Sequence, residues 1–272
     1  MNALASDRAF AGSIPQLYER YLVPLIFEPY AADLAHRVSL RAPSRVLEIA
    51  AGTGCVTRQL ARALPPGASL VASDLNQPML DHAAAVGTAR PVEWRQADAM
   101  QLPFPDASFD AVACQFGAMF FPDKVRAFSE ARRVLRAGGV FIFNVWDRIE
   151  ENHFADTITV ALANAFPDNP PGFLERVPHA YHDPAVVVRD LAQAGFAEAP
   201  DFVTLPARSR ADSPRTPVVA YCEGTPLRSE IEAPGESRLR DAVEIATRAV
   251  AARFGTGVVD AKIQAHVIAV KR

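Results

Sequence analysis

The chain has 272 residues, half of them apolar and 22% charged, with a net charge of −3. That balance fits a globular protein with a sizeable core and gives no electrostatic reason to expect nucleic acid or an anionic membrane as the main partner. Cys55, Cys114 and Cys222 are too few and too scattered for a disulfide framework or a CxxC metal pair.

No apolar run nears the ~20 residues that span a bilayer. The opening MNALASDRAF lacks the basic-then-apolar pattern of a signal peptide. A cytoplasmic setting is therefore expected, and oligomeric state stays open.

Residues 15–37 read as a helix, with interruptions expected at Pro24 and Pro29. Its side carrying Tyr18, Tyr21, Leu25 and Phe27 suits either packing on the domain or a lid, taken as residues 1–40. Strands are then expected at 45–50, 69–74, 91–97, 109–114 and 139–146, with helices at 54–64, 77–86 and 123–136. Short apolar strands alternating with helices predict parallel βαβ units and a doubly wound α/β sheet. Gly138 and Gly139 are expected to end the helix before the fifth strand.

Beyond residue 147 the pattern changes. Helices are expected at 153–166, 184–196 and 236–255, with strands near 200–207 and at 262–270. The irregular stretches 166–183 and 208–236 read as pocket-forming insertions, and the basic run 207–215 as a solvated loop. No internal repeat is present. The chain reads as one domain, with a core at 41–147 and a substrate side at 148–272.

The stretch VLEIAAGTGCVT, residues 46–57, is a strand, a glycine turn and a helix start. Gly52 and Gly54 would let a ligand approach the backbone, and the following helix presents free N–H groups. A dinucleotide fingerprint needs a third glycine, where this chain has Thr57. Glu48 would repel a diphosphate but favour a cationic ligand. Asp74, ending the second strand, can accept from both hydroxyls of a ribose. Asp98 can accept from an adenine amino group while the Ala99 N–H meets a ring nitrogen. The turn favours a cationic nucleoside, such as S-adenosylmethionine.

The ordered segments VLEIAAGTG, SDLNQPML, QADAMQLPFPDASFDAV and RVLRAGGVFIF resemble the class I S-adenosylmethionine-dependent methyltransferases, nearest to their small-molecule quinone and sterol C-methyltransferase-like branch. The resemblance covers residues 45–146. It implies a Rossmann-like sheet of seven strands whose last strand is antiparallel, here KIQAHVIAV, and S-adenosyl-L-methionine as cofactor. It places the methionine end of the cofactor at Glu48, Ala50, Gly52 and Gly54. Asp74 then holds the ribose, Leu75 and Met79 line the adenosine, Asp98 and Ala99 hold the adenine, and Gln115 and Phe116 flank the cofactor facing the substrate. Ala50 departs from the family's loop, which has glycine there.

Methyl transfer by in-line displacement dictates no particular catalytic residue. Tyr18, Tyr21, Trp146 and His153 are the expected substrate-side residues, with His153 a candidate base. DNPPGF at 168–173 resembles an amino-methylation motif but is displaced from the fourth strand, and Cys114 lacks the proline that precedes a cysteine nucleophile. His179, His182 and Asp183 lack a fourth partner, so no metal is expected. Two other readings stay open: an NAD-dependent oxidoreductase, for which no Tyr-x-x-x-Lys pair is found, and a non-catalytic cofactor-binding protein.

Overall fold

In a computed structural model, Asp7, Gly12, residues 14–235 and residues 237–272 are described. Seven strands pair into one sheet in the order β3-β2-β1-β4-β5-β7-β6. β1 (Arg45–Ile49), β2 (Ser69–Asp74), β3 (Glu93–Gln96), β4 (Phe109–Gln115) and β5 (Leu135–Trp146) run parallel. β7 (Val259–Lys271) lies antiparallel between β5 and the edge strand β6 (Asp201–Ala211). This is the doubly wound sheet with an antiparallel last strand that the sequence implies.

The strand order reverses at β1, which pairs with β2 on one side and β4 on the other. Crossover helices leave on opposite faces there, opening a crevice at the carboxyl ends of the strands. The helices behind it are α3 (Cys55–Ala63), α4 (Gln77–Val86) and α5 (Lys124–Val134). Phe128 of α5 packs on Phe141 and Phe143 of β5, with ring centroids 5.6 and 5.2 Å away. All three rings are fully buried, each contributing roughly 1.5–3 kcal/mol through burial.

The N-terminal segment is helical from Ile14 to Ser39 with no break. α1 (Ile14–Leu17) passes into a π-helical stretch, Tyr18–Phe27, and then into α2 (Glu28–Ser39). The expected interruptions at Pro24 and Pro29 are absent. Pro24 sits in the wider π turns, where the Glu28 N–H bonds back to the Val23 carbonyl, and Pro29 occupies the first turn of α2. There its missing N–H has no helical partner to lose. The Tyr30 hydroxyl donates to the Leu205 carbonyl at 3.1 Å, tying the segment to β6.

Three further expectations are corrected. α5 ends at Val134, before the glycines. Gly138, at φ +77°, and Gly139 lie instead in the irregular start of β5, where a Cβ on Gly139 would stand 3.0 Å from the Asp110 carbonyl oxygen. The basic run 207–215 is no loop: residues 207–211 continue β6, and Arg208 and Arg210 both bond Asp260 across the strand pair at 2.7 Å. The stretch 208–236 holds α9 (Arg215–Glu223) and α10 (Leu227–Glu232).

The remaining helices are α6 (His153–Ala165), the short α7 (Phe173–Arg176), α8 (Pro184–Gln193) and α11 (Ser237–Phe254). Among the described residues no helix is long and apolar enough to cross a membrane.

Candidate functional site

The loop after β1 is built on left-handed backbone: Ala50 has φ 55°, Gly52 φ 55° and Gly54 φ 82°. The two glycines serve different ends. A Cβ on Gly54 would stand 3.1 Å from Ala83 Cβ and 3.3 Å from Trp94, so this glycine lets α3 approach α4 and β3. A Cβ on Gly52 would meet only Met79 Cε at 3.6 Å, leaving the backbone open to the crevice.

Ala50 holds a left-handed conformation despite its methyl, at a cost of roughly 1–2 kcal/mol. That methyl fills the space opposite Gly117, where a Cβ would lie 2.4 Å away. The sequence reading missed Gly117. Its only signal there was a glycine right after the β4 exit.

The three acids stand differently. Asp74 accepts the Gly52 N–H at 2.8 Å on one oxygen and the Asn76 N–H at 2.8 Å on the other, which pins the glycine loop to β2. Burial raises its carboxyl above the usual range, with these backbone N–H groups pulling the other way. Glu48, 1% exposed, accepts from the Thr57 hydroxyl at 2.6 Å. Burial pushes Glu48 up to about 8 despite that hydrogen bond, and the Asp74 charge adds to the rise. Two buried acids thus share one region in want of a cation. Asp98 lies past β3 and accepts the Met100 N–H at 2.9 Å.

Around this loop lies a cavity with about 770 Å³ of empty space, part of it open to solvent. Ala50, Gly52, Asp74, Leu75, Met79, Asp98, Ala99, Gln115 and Phe116 all line it. Glu48 and Gly54 do not. They sit behind the loop, Glu48 toward Thr57 and Gly54 toward Ala83. Gly117, Phe120, Phe121 and Pro122, beyond β4, complete the wall and were not anticipated.

A second cavity, about 560 Å³, adjoins the first and shares Tyr18, Phe116 and Phe120 with it. Phe116, at φ 51°, stacks on Trp146 at 3.8 Å with the rings 5° from parallel. Tyr30 meets both rings edge-on at 5.3 and 5.4 Å. Phe27, Phe173, His179 and Tyr221 extend this aromatic lining.

Of the expected substrate-side residues, Tyr18 lines both cavities and Trp146 the second. Tyr21 lines neither and carries Arg20 over its ring at 5.0 Å. His153 lines neither. It begins α6, where burial and the nearby Arg253 and Lys262 lower its basicity. The expected helix is present, but its first residue is not on the wall of either cavity. The stretch 166–183, expected as a pocket-forming insertion, supplies His179, and α9, within the stretch 208–236, supplies Tyr221.

Over residues 47–143 the chain matches the family described as the methyltransferase domain. It is 44% identical over 111 residues to the demethylmenaquinone methyltransferase of Thermus thermophilus, an alignment covering 40% of this chain and 49% of that protein. The chain spans about half the length of the curated relatives it matches.

Among solved structures, a phosphoethanolamine N-methyltransferase 2 of Haemonchus contortus, in complex with phosphomonomethylethanolamine and S-adenosylhomocysteine, superposes with a TM-score of 0.61 at 17% identity. That match covers 99% of this chain and 61% of the other. The cyclase SpnF superposes with a TM-score of 0.52 at 21% identity, covering 90% of this chain and 80% of its own. At such identities the likeness concerns fold alone, and the second case shows that this fold also carries a reaction named otherwise.

Proposed function

We propose that this chain, whose core is a class I S-adenosylmethionine-dependent methyltransferase domain, transfers a methyl group to a small, flat and largely apolar acceptor. The observation that carries the reading is the pair of adjoining cavities: one edged by Asp74 and Asp98 under an open glycine loop, the other walled by aromatic rings. The buried Glu48 and Asp74, raised together, supply the chemistry of a site for a cation.

In this reading Asp74 accepts from the ribose hydroxyls through the lone pairs left beside its two backbone donors. Leu75 and Met79 bracket the adenosine, and Asp98 with the Ala99 N–H takes the adenine edge. Ala50 and Gly52 pass the methionine end, with Glu48 acting on its ammonium from behind the loop and Gly54 keeping that loop close to α4. When bound, S-adenosylmethionine supplies a methyl carbon already activated by its sulfonium. Phe116 and Tyr18 stand where the two cavities meet, with Gln115 beside them on the wall of the first, so they align the acceptor at ~3 Å from that carbon and keep water out. Trp146 backs Phe116 and fixes the plane in which a flat acceptor lies.

The division into a lid at 1–40, a core at 41–147 and a substrate side at 148–272 within one domain belongs to this proposal. A small-molecule acceptor, with neither nucleic acid nor membrane insertion, agrees with the net charge of −3. Three buried, unpaired thiols agree with a cytoplasmic setting. Quinone-type acceptors, the substrates named for the relatives, head the trial panel.

Titration calorimetry with S-adenosylhomocysteine tests the cofactor, and its release from S-adenosylmethionine across a panel of phenols, quinones and amines tests the reaction. Absence of saturable binding at millimolar concentration refutes the reading. Binding with silence across the panel favours a non-catalytic cofactor-binding protein. Enhanced fluorescence of added NADH would favour the oxidoreductase, against which Thr57 stands at the third glycine position with its hydroxyl on Glu48.

A further inference from the structure

The aromatic cavity contains one ring nitrogen whose lone pair the fold leaves unused. His179 follows α7, is 5% exposed, and lies with its ring centroid 6.1 Å from that of Trp146. Its Nδ1 stands 2.8 Å from the Asp147 carbonyl oxygen. A carbonyl can only accept, so Nδ1 carries the proton and Nε2 of the neutral ring keeps its lone pair. Among the described residues Nε2 has no hydrogen-bond partner, and the residue lines the aromatic cavity.

The backbone that orients the ring is itself held. Asp147 accepts from the Arg148 N–H at 2.7 Å and from Gln264 Nε2 at 2.6 Å, and His266 Nε2 lies 3.2 Å from it. On the other side, His182 Nδ1 bonds the His179 carbonyl at 2.8 Å. Two other polar groups of this wall are engaged: Thr225 donates to the Tyr221 carbonyl at 2.6 Å, and Asn152 accepts the Gln264 N–H at 3.1 Å. An imidazole fixed in one tautomer by a held partner, with its free nitrogen in an aromatic chamber, has the arrangement of an oriented base.

The geometry points to His179 Nε2 as the proton acceptor for the molecule that receives the methyl group, and so to an acceptor that carries a hydroxyl directed at this nitrogen. The inference rests on the methyl-transfer reading and adds to it a residue and a functional group on the substrate. In the step, the methyl–sulfur pair goes to sulfur and a lone or π pair of the acceptor forms the new bond to the methyl carbon. The acceptor O–H breaks with its pair left on the acceptor and its proton on Nε2. Positive charge passes from sulfonium to imidazolium, so the site as a whole gains none.

Burial and the neighbouring His182 hold His179 down at about 4, against the pull of Asp147. The ring is therefore neutral at ordinary pH. So weak a base takes the proton only as the arriving methyl makes the hydroxyl strongly acidic, not in a prior equilibrium.

The test uses the full chain saturated with S-adenosylhomocysteine, titrated with 1-naphthol and with naphthalene, which differ by one hydroxyl. A single neutral hydrogen bond predicts a 2- to 10-fold preference for naphthol in the wild type. His179→Phe should erase that preference, and His179→Gln, which restores an acceptor, should keep part of it. Both variants should bind S-adenosylhomocysteine like the wild type, which also certifies their folding. ¹⁵N spectra of the imidazole should show the Nδ1–H tautomer, with the Nε2 resonance moved by naphthol and not by naphthalene.

A naphthol preference that survives in His179→Phe, or one absent from the liganded wild type, overturns the inference. Failure of the wild type to bind S-adenosylhomocysteine would instead overturn the methyl-transfer reading on which it stands.

Discussion

Replacing Gly117 by alanine sets a Cβ 2.4 Å from Ala50 Cβ and 2.8 Å from Cys114 Sγ. Carbon atoms in good contact stand ~3.5–4.0 Å apart, so the two methyls must part by more than ~1 Å. Ala50 Cβ cannot swing aside, because it is fixed to a backbone already held at φ 55°. Overpacking of this kind costs about 1–3 kcal/mol.

Ala50→Gly removes the opposing methyl and a left-handed penalty of roughly 1–2 kcal/mol. It also frees the unfolded chain by roughly 0.5–1 kcal/mol, so alone it should be neutral or mildly stabilising. In that background Gly117→Ala meets mainly the Cys114 sulfur, at the end of a side chain that can turn, and should cost ~1 kcal/mol or less. Urea unfolding of the four proteins then gives a coupling energy of about 1–2 kcal/mol between the sites. Both residues line the first cavity, so Gly117→Ala should also weaken S-adenosylhomocysteine binding, with recovery in the double variant. Additive single effects, or a Gly117→Ala protein as stable as the wild type, would refute the steric argument.

Asp74→Ala removes the acceptor of the Gly52 and Asn76 N–H groups along with the proposed ribose contacts. At ~1.5–3 kcal/mol for each hydrogen bond to a charged group, S-adenosylhomocysteine affinity should fall by ~100-fold or more in calorimetry; unchanged affinity contradicts the pose. Glu48 is raised from 4.5 to about 8. Its contribution to stability is complete below the unfolded value and is lost as pH rises through the folded one. Urea midpoints between about pH 5 and about pH 8 should therefore decline more in the wild type than in Glu48→Gln. A bound cation favours the carboxylate, so calorimetry near neutral pH in buffers of different ionisation enthalpy should show a proton released on S-adenosylmethionine binding; none released would place Glu48 outside the cation's field.

Arg58 joins Glu19 of the N-terminal helical segment, at 2.6 Å, to the Thr53 carbonyl of the glycine loop, at 2.8 Å. Arg58→Leu leaves the Glu19 carboxylate unpaired in a largely covered place, at about 1–3 kcal/mol, and should speed proteolysis within residues 14–39; an unchanged digestion pattern would mean that the pair does not hold this segment.

The alternation of short apolar strands with helices was enough for the doubly wound sheet, while its antiparallel last strand and several residues of the first cavity came from the resemblance to a known family. The β1–loop–α3 unit is legible because glycines that tolerate positive φ and the strand acid Glu48 fall within a dozen residues, and Asp74 ends β2 while Asp98 and Ala99 follow β3. The errors also have local causes: Pro24 reads as a break until a π turn absorbs it, and Arg208 and Arg210 read as a solvated run until Asp260, some fifty residues away, pairs with both.

The aromatic cavity was decided only by tertiary structure. Phe27, Phe116, Trp146, His179 and Tyr221 come from five separate stretches and meet because the N-terminal helical segment, the β4 exit, β5, the 166–183 segment and α9 converge over the crevice. No spacing in the chain encodes that meeting. For the same reason His153 had the right chemistry and the wrong position, while His179, set aside for want of metal partners, holds the place on the cavity wall. Side-chain chemistry is written in the sequence, but the direction in which it points is set by packing between distant segments.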